Sequence, residues 1–281
     1  MVSVLVFGAC LLHGPLNPLN RTATNFSYPD YGPLPGCYTF GEMFQAIDLL
    51  RGLKDVPQEY RPLCAMRPNF RPVGRAAHFA DVDVALIEPS SPVELEFRGC
   101  SLNRVALAHS VIHPITERYK DARKAAGAWL RIGLIGMNDE ARIRSAAELV
   151  KFISDDMEHA ELMRSVILET RSRRSDIPNG FRRMQELLGR PMGVVVYVFQ
   201  YLEDGRAISW PAGFHEEVLE AATELDLPMF QPAQFVRDYG LKNAMKDDLR
   251  HYSDEFSPVI GNELIKFSQE ILDRSRAIAA E

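Results

Sequence analysis

The stretch Val2-Ser-Val-Leu-Val-Phe7-Gly8-Ala9-Cys10 decides how the rest of the chain is read. A short apolar run rich in β-branched side chains ends at a glycine, the pattern of a strand buried on both faces of a parallel sheet. The glycine lets the chain turn sharply and sets a thiol just past the turn. In an open parallel sheet, functional groups collect in the loops beyond the carboxyl ends of the strands. Gly8, Ala9 and Cys10 therefore form the first candidate site. Cys10 admits two readings. It is a nucleophile if a helix N-terminus lowers its pKa, or a small buried hydrophobe, because free cysteine is among the most buried residue types.

Outward from this stretch, residues 14–38 carry Pro15, Pro18, Pro29, Pro33 and Pro35 and read as a loop. Thr39-Phe-Gly-Glu42 has the spacing of a capping box, and Phe44, Ile47 and Leu50 follow at helical intervals, so a helix is expected from about Phe40. A Pro-rich connection over 57–74 leads to a second buried strand, Val82-Asp-Val-Ala-Leu-Ile87, which opens into Glu88-Pro-Ser-Ser-Pro92. From about Asn103 to Leu188 the apolar spacing is helical almost throughout, as in Ala146, Leu149, Val150, Ile153 and Met157. This block, about 103–190, is expected to be a helical insertion or cap. Val194-Val-Val-Tyr-Val-Phe199 carries the strongest strand signal, followed by a helix over 214–225, a weaker strand at Leu227–Phe230 and a final amphipathic helix over Val259–Ala279. Strands alternating with helices at these intervals predict an α/β fold: three α/β/α layers around a mostly parallel sheet, in one domain over 1–281.

Composition narrows the functions. The 281 residues are 46% hydrophobic and 25% charged, an ordinary globular balance. Lys plus Arg number 32 against 38 Asp plus Glu, a net charge of −6, the wrong sign for a protein that neutralises a phosphate backbone. No nucleic-acid partner is expected. Cys10, Cys37, Cys64 and Cys100 lie far apart without a C-x-x-C pair, which speaks against structural zinc. The apolar N-terminal stretch lacks a basic lead and meets Pro15 and Pro18 at once, and no later apolar run is long enough for a membrane span. The expectation is a cytoplasmic protein with free thiols.

A second candidate site precedes the last helix. In Asp248-Leu-Arg-His251 the D-x-x-H spacing lets a carboxylate hold an imidazole in the tautomer that a general base needs. Asp156-Met-Glu-His159 repeats the spacing inside a predicted helix, where it reads as solvated surface.

With both words, the chain resembles the SGNH/GDSL hydrolase superfamily, within it the cysteine-bearing branches such as the GSCFA and WcbI-type polysaccharide-biosynthesis proteins. Gly8-Ala9-Cys10 stands for the Gly-Asp-Ser block and Asp248-Leu249-Arg250-His251 for the terminal Asp-x-x-His block. The resemblance implies an SGNH-like, flavodoxin-like fold and acyl transfer. His251 removes the thiol proton, Cys10 attacks an ester or thioester carbonyl, and Asp248 steadies the imidazolium. It implies no required cofactor, an acyl-CoA as a fitting donor, and a carbohydrate or polysaccharide precursor as acceptor. The family's Gly-x-Asn-Asp block is missing after Ile87, where Ser90 and Ser91 stand instead. The same string occurs at Gly136-Met-Asn138-Asp139, where Asn138 either donates to an oxyanion hole or caps a helix. His13, three residues past Cys10, is a rival base or a contact residue.

Two further constellations stand outside this scheme. His109 and His113, with Asp155, Asp156 and His159, would form a metal site if their helices faced each other, though the glutamate of H-E-x-x-H is absent. Arg171, Arg173, Arg174, Arg182 and Arg183, with Arg190 nearby, either receive the phosphates of an anionic ligand or form a solvated basic surface. The sequence thus sets an acyl-transfer enzyme (O-acyltransferase, esterase or thioesterase) against a non-catalytic glycan- or protein-binding member of the same fold and a metal-dependent enzyme of the helical block.

Overall fold

The apolar runs marked as strands enter one parallel sheet in the computed structural model, which describes residues 2–19, 26–27, 36–66 and 82–280. In chain order the strands are β1 (Val2–Phe7), β2 (Phe26–Ser27), β3 (Val84–Ile87), β4 (Val93–Phe97), β5 (Cys100–Leu102), β6 (Arg171–Arg174), β7 (Met192–Val195), β8 (Gln200–Tyr201), β9 (Ala207–Ile208) and β10 (Met229–Phe230). The main sheet has the order β10-β7-β3-β1-β2, with every pair parallel. This is a flavodoxin-like order: the chain adds β2 on one side of β1 and β3 on the other, so the topological switch point lies between β1 and β3.

Alternation along the strands builds two cores. Val2, Val4 and Val6 of β1 and Val84 and Leu86 of β3 point to one face, while Leu5, Phe7, Ala85 and Ile87 point to the other. The first face is covered by α1 (Cys10–Leu19) and the C-terminal helix, and the second by α2 (Phe40–Leu50) with two later helices. The α/β/α layering follows. The helical block comprises α3 (Arg104–Leu107), α4 (His113–Arg118), α5 (Ala122–Gly127), α6 (Asp139–Leu149) and α7 (Ala160–Glu169). It gathers its own core around Trp129, Leu149 and Ile167. The remaining helices are α8 (Ile177–Leu188), α9 (Phe214–Glu224), α10 (Pro232–Tyr239), α11 (Leu241–Ala244) and α12 (Phe256–Ala280). Among the described residues no helix is long and apolar enough to cross a membrane.

Besides the short strand β2 inside the expected loop over 14–38, the structure departs from the sequence expectations at four places. The presumed loop after Cys10 begins as α1, which continues through Pro15 and Pro18. Burial overrides the breakers: Leu12 and Leu16 are fully enclosed, and Gly261 of α12 lets that helix approach so closely that a Cβ there would lie 2.7 Å from the Pro15 carbonyl oxygen. Pro29, Pro33, Pro35 and the later part of the 57–74 connection lie outside the described residues. The strand expected over 194–199 spans Met192–Val195, because its neighbours end in register at Ile87 and Phe230 and leave the residues beyond Val195 without a partner strand. The third departure is a second sheet. β4, β5 and β6 form an antiparallel sheet of order β5-β4-β6, so Arg171–Arg174 is a strand inside the block read as helical. Its hairpin turns at Arg98 and Gly99, both at positive φ, the requirement of a type I′ turn. Finally, Asp156–His159 forms the turn ahead of α7 rather than part of a helix, because the chain becomes extended at Ile153 and splits the apolar run.

Candidate active site

The carboxyl edge at the β1/β3 switch point is assembled from backbone groups that the sequence already crowds with small residues. Gly8 leaves β1 directly against Glu88, the first residue after β3: a Cβ on Gly8 would fall 2.8 Å from Glu88 Cβ, so only glycine fits. The Glu88 amide donates to the Phe7 carbonyl at 2.7 Å, and the Ala9 N–H donates to Glu88 Oε2 at 2.6 Å. Cys10 is the first residue of α1, and its side chain lies outside the described residues. The Gly8 carbonyl accepts from the Cys37 N–H at 3.0 Å, and the His13 ring, one helical turn past Cys10, hydrogen-bonds the Gly8 backbone. Desolvation pushes the His13 pKa down to about 4, with the Gly8 bond acting in the other direction, so this ring takes a proton less readily than an ordinary imidazole.

The loop after β3 is tied into the same edge. The Ser90 and Ser91 amides both donate to the Tyr38 carbonyl at 2.9 Å. Their buried hydroxyls are committed within the loop, Ser90 Oγ to the Glu88 carbonyl and Ser91 Oγ to the backbone of Val93. Beneath the Gly36–Tyr38 segment sits a polar cluster that sequence reasoning did not single out. Glu42 closes the capping box with Thr39 and accepts from the Tyr38 N–H and from Asn103 Nδ2, which also donates to the Gly36 carbonyl. Burial pushes the Glu42 pKa up to about 7 against these hydrogen bonds. Asn103 also caps α3, and so hinges the helical block on the switch-point loops.

Asp248 and His251 form a dyad. His251 Nδ1 lies 2.5 Å from Asp248 Oδ2, and Asp248 Oδ1 accepts from the Arg250 and His251 amides at 2.9 and 3.0 Å. Leu249 takes a left-handed conformation, φ 54°, which folds the segment back so that one carboxylate serves all three donors. The His251 hydrogen bond, then the amide bonds, hold the Asp248 pKa down to about 2. A carboxylate on Nδ1 fixes the tautomer that leaves Nε2 as the basic nitrogen. Among the described residues Nε2 makes no hydrogen bond, and the His251 side chain is 54% exposed.

A run of contacts joins the dyad to the switch point. Arg250, inside the dyad segment, stacks its guanidinium 4.7 Å from the Phe199 ring centre, and Phe199 lies 6.2 Å from the ring of Trp210. The Arg104 guanidinium lies 5.6 Å from the same Trp210 ring. Arg104 follows Asn103, which holds the Gly36 carbonyl beside the Gly8 turn. The Leu249 carbonyl accepts from the Tyr201 N–H of β8, beyond the carboxyl end of β7. A relay of contacts thus runs between the two words of the sequence. The exposed Trp210 and Arg250 and the half-buried Phe199 and Arg104 were missed because they are adjacent only in space.

The other candidates have different surroundings. Asn138 caps α6, its side-chain oxygen accepting from the Ala141 N–H at 2.9 Å. Arg173 pairs with Glu94, Arg174 with Glu217 and Arg182 with Glu224, while Arg183 stacks on Phe44. Arg171 is exposed on β6. His109 and His113 touch edge to face, whereas Asp155 pairs with Arg164, Asp156 with Arg118 and His159 with Glu158. Among the described residues no three His, Cys, Asp or Glu side chains converge as metal ligands.

Residues 2–267 match the family model of the TviD N-terminal domain. The Vi polysaccharide biosynthesis protein TviD of Salmonella typhi is 22% identical over 273 residues, which cover 92% of this chain and 31% of that protein. The chain therefore spans less than a third of the length of this curated relative, and it belongs to the TviD N-terminal domain family.

Proposed function

Taking that membership as the premise, we propose that the chain is an SGNH-like acyl-transfer enzyme of polysaccharide biosynthesis, an O-acyltransferase or esterase acting through Cys10, His251 and Asp248. The observation that carries the reading is the Asp248–His251 dyad, with Nε2 unbonded among the described residues and its segment linked by a relay of contacts to the Cys10 turn. His251 Nε2 takes the proton from the Cys10 thiol, and the thiolate adds to the carbonyl carbon of an ester or thioester. Collapse of the adduct expels the donor's alcohol or thiol, which leaves with the proton held by His251. A sugar hydroxyl or water then takes the acyl group by the reverse sequence.

The position of Cys10 at the first residue of a ten-residue helix supports the thiolate, because unpaired N–H groups at a helix start favour negative charge. Oxyanion stabilisation would fall chiefly to backbone N–H groups at that turn, since the Ser90 and Ser91 hydroxyls are occupied. Trp210, 40% exposed, and Phe199 supply a ring surface for a sugar face, with Arg104 and Arg250 beside it for an anionic group of the acceptor or of an acyl-CoA. The helical block would act as the cap of a single domain.

Intact-mass measurement after brief exposure to acetyl-CoA and to an activated acetyl ester tests the reading. One acetyl group is expected on Cys10 of the wild type and none on Cys10→Ala. A wild type that takes no acetyl group replaces the enzyme with a glycan- or protein-binding member of the fold.

A further inference from the structure

Glu88 is a buried carboxyl that the scheme above leaves without a task. It is 2% exposed, stands at the switch point, and packs against Gly8 so tightly that a Cβ there would lie 2.9 Å from its Oε2. Among the described residues its carboxyl makes one hydrogen bond, from the Ala9 N–H one residue before Cys10, and pairs with no cation. Among the described residues the titratable groups on the adjoining segments are Cys10 and His13 of α1, Cys37 and Tyr38 of the incoming loop, and Glu42 of α2, and the nearby cation Arg104 acts on Glu42 rather than on Glu88. A carboxylate without a cation in so dry a place is costly, which favours the neutral acid.

We propose that Glu88 is a positioning residue for Cys10: it fixes the Gly8–Cys10 turn through the Ala9 N–H and, as a neutral acid, keeps negative charge away from the thiol. The inference rests on the reading of Cys10 as an accessible nucleophile. Burial pushes the Glu88 pKa up to about 8, with the Ala9 hydrogen bond opposing, so the acid is neutral where the enzyme would work. Above that pH a second negative charge would sit beside the turn and disfavour the thiolate, whose ordinary pKa is about 8.5. Charge on Glu88 and charge at the turn therefore oppose each other.

Glu88→Gln keeps an oxygen for the Ala9 N–H, matches the shape of the neutral acid and never ionises. The test follows iodoacetamide alkylation from pH 6 to 10, with Cys10 resolved by peptide mass. Cys37, Cys64 and Cys100 are buried with their pKa values pushed up, so they react slowly. Equal rates are expected for wild type and Glu88→Gln below about pH 7, with the variant faster by up to about twofold at pH 8 and up to about fourfold between about pH 9 and 10. Glu42→Gln is the control, because Glu42 titrates nearby without touching the Ala9 N–H.

A second readout is independent of the thiol. Glu88 is held above its unfolded value, so wild-type stability is present at low pH and falls as pH rises from about 4.5 towards 8, whereas glutamine has no such dependence. The melting temperature of Glu88→Gln should gain several degrees on the wild type between pH 5 and 8. Superimposable alkylation profiles overturn the proposal, as does a Cys10 that resists alkylation at every pH in both proteins. A shifted profile without any acetyl adduct overturns acyl transfer and leaves the role of Glu88 standing.

Discussion

Asp248–His251 and Asp156–His159 share a spacing and nothing else. In the first, a left-handed Leu249 wraps the chain so that Asp248 takes two amides and the His251 ring together. In the second, the left-handed residue is His159 itself, at the start of α7. There Asp156 turns to Arg118 at 2.7 Å, and the His159 ring meets Glu158. A three-residue interval makes a dyad available. The residue that bends the chain, and the cations within reach of the carboxylate, decide whether it forms.

The largest effect that would break this contrast is in the two histidines. His251→Ala is expected to slow acetylation of Cys10 by roughly 10²–10⁴-fold, the usual worth of a positioned general base, while His159→Ala stays within about twofold of wild type. Equal effects would mean that the His251 dyad is ordinary surface.

The carboxylates sharpen the contrast further. Asp248→Asn keeps an acceptor for the amides but offers N–H to Nδ1, favours the wrong tautomer, and should slow acetylation by at least about tenfold; Asp156→Asn should leave the rate unchanged. Because Asp248 is held below its unfolded value, its contribution to stability is present above about pH 4 and is lost as pH falls towards 2. The melting-temperature gap between wild type and Asp248→Asn should therefore be flat above pH 5 and close below pH 4.

The smallest effect lies in the helical block. Asn138→Ala removes a helix cap and should cost about 1 kcal/mol in a denaturant titration without changing the acetylation rate. A tenfold loss of rate at unchanged stability would instead return Asn138 to the oxyanion hole.

Much of the scaffold was legible because it rests on local patterns. The alternation in β1 and β3, the Thr39–Glu42 capping box and the apolar stripe of α12 each report a period or a cap that neighbouring residues define. The hairpin of β4 and β5 left a signal in the alternation Val93, Leu95, Phe97 and the Arg98-Gly99 turn that went unread between Pro92 and Asn103, and its third strand, β6, was hidden inside the block with helical spacing. The helical course of α1 was hidden because Pro15 and Pro18 are local breakers, while the force that overrides them is packing against α12. The candidates Cys10, Asp248 and His251 were picked out by small residues after a strand and by a short interval. Glu88 was passed over as the residue standing where an asparagine was sought.

By itself the sequence determined the parallel α/β plan, the turn that carries Cys10 and the two intervals at which a carboxylate can meet a histidine, because each is set within a few residues by periodicity, glycine and spacing. The tertiary structure decided the rest. It chose which of two D-x-x-H words became a dyad, laid Trp210 and Phe199 between Arg104 and Arg250, and closed Glu88 against Gly8. These depend on burial and on contacts between segments far apart in the chain, whose energies no local pattern encodes.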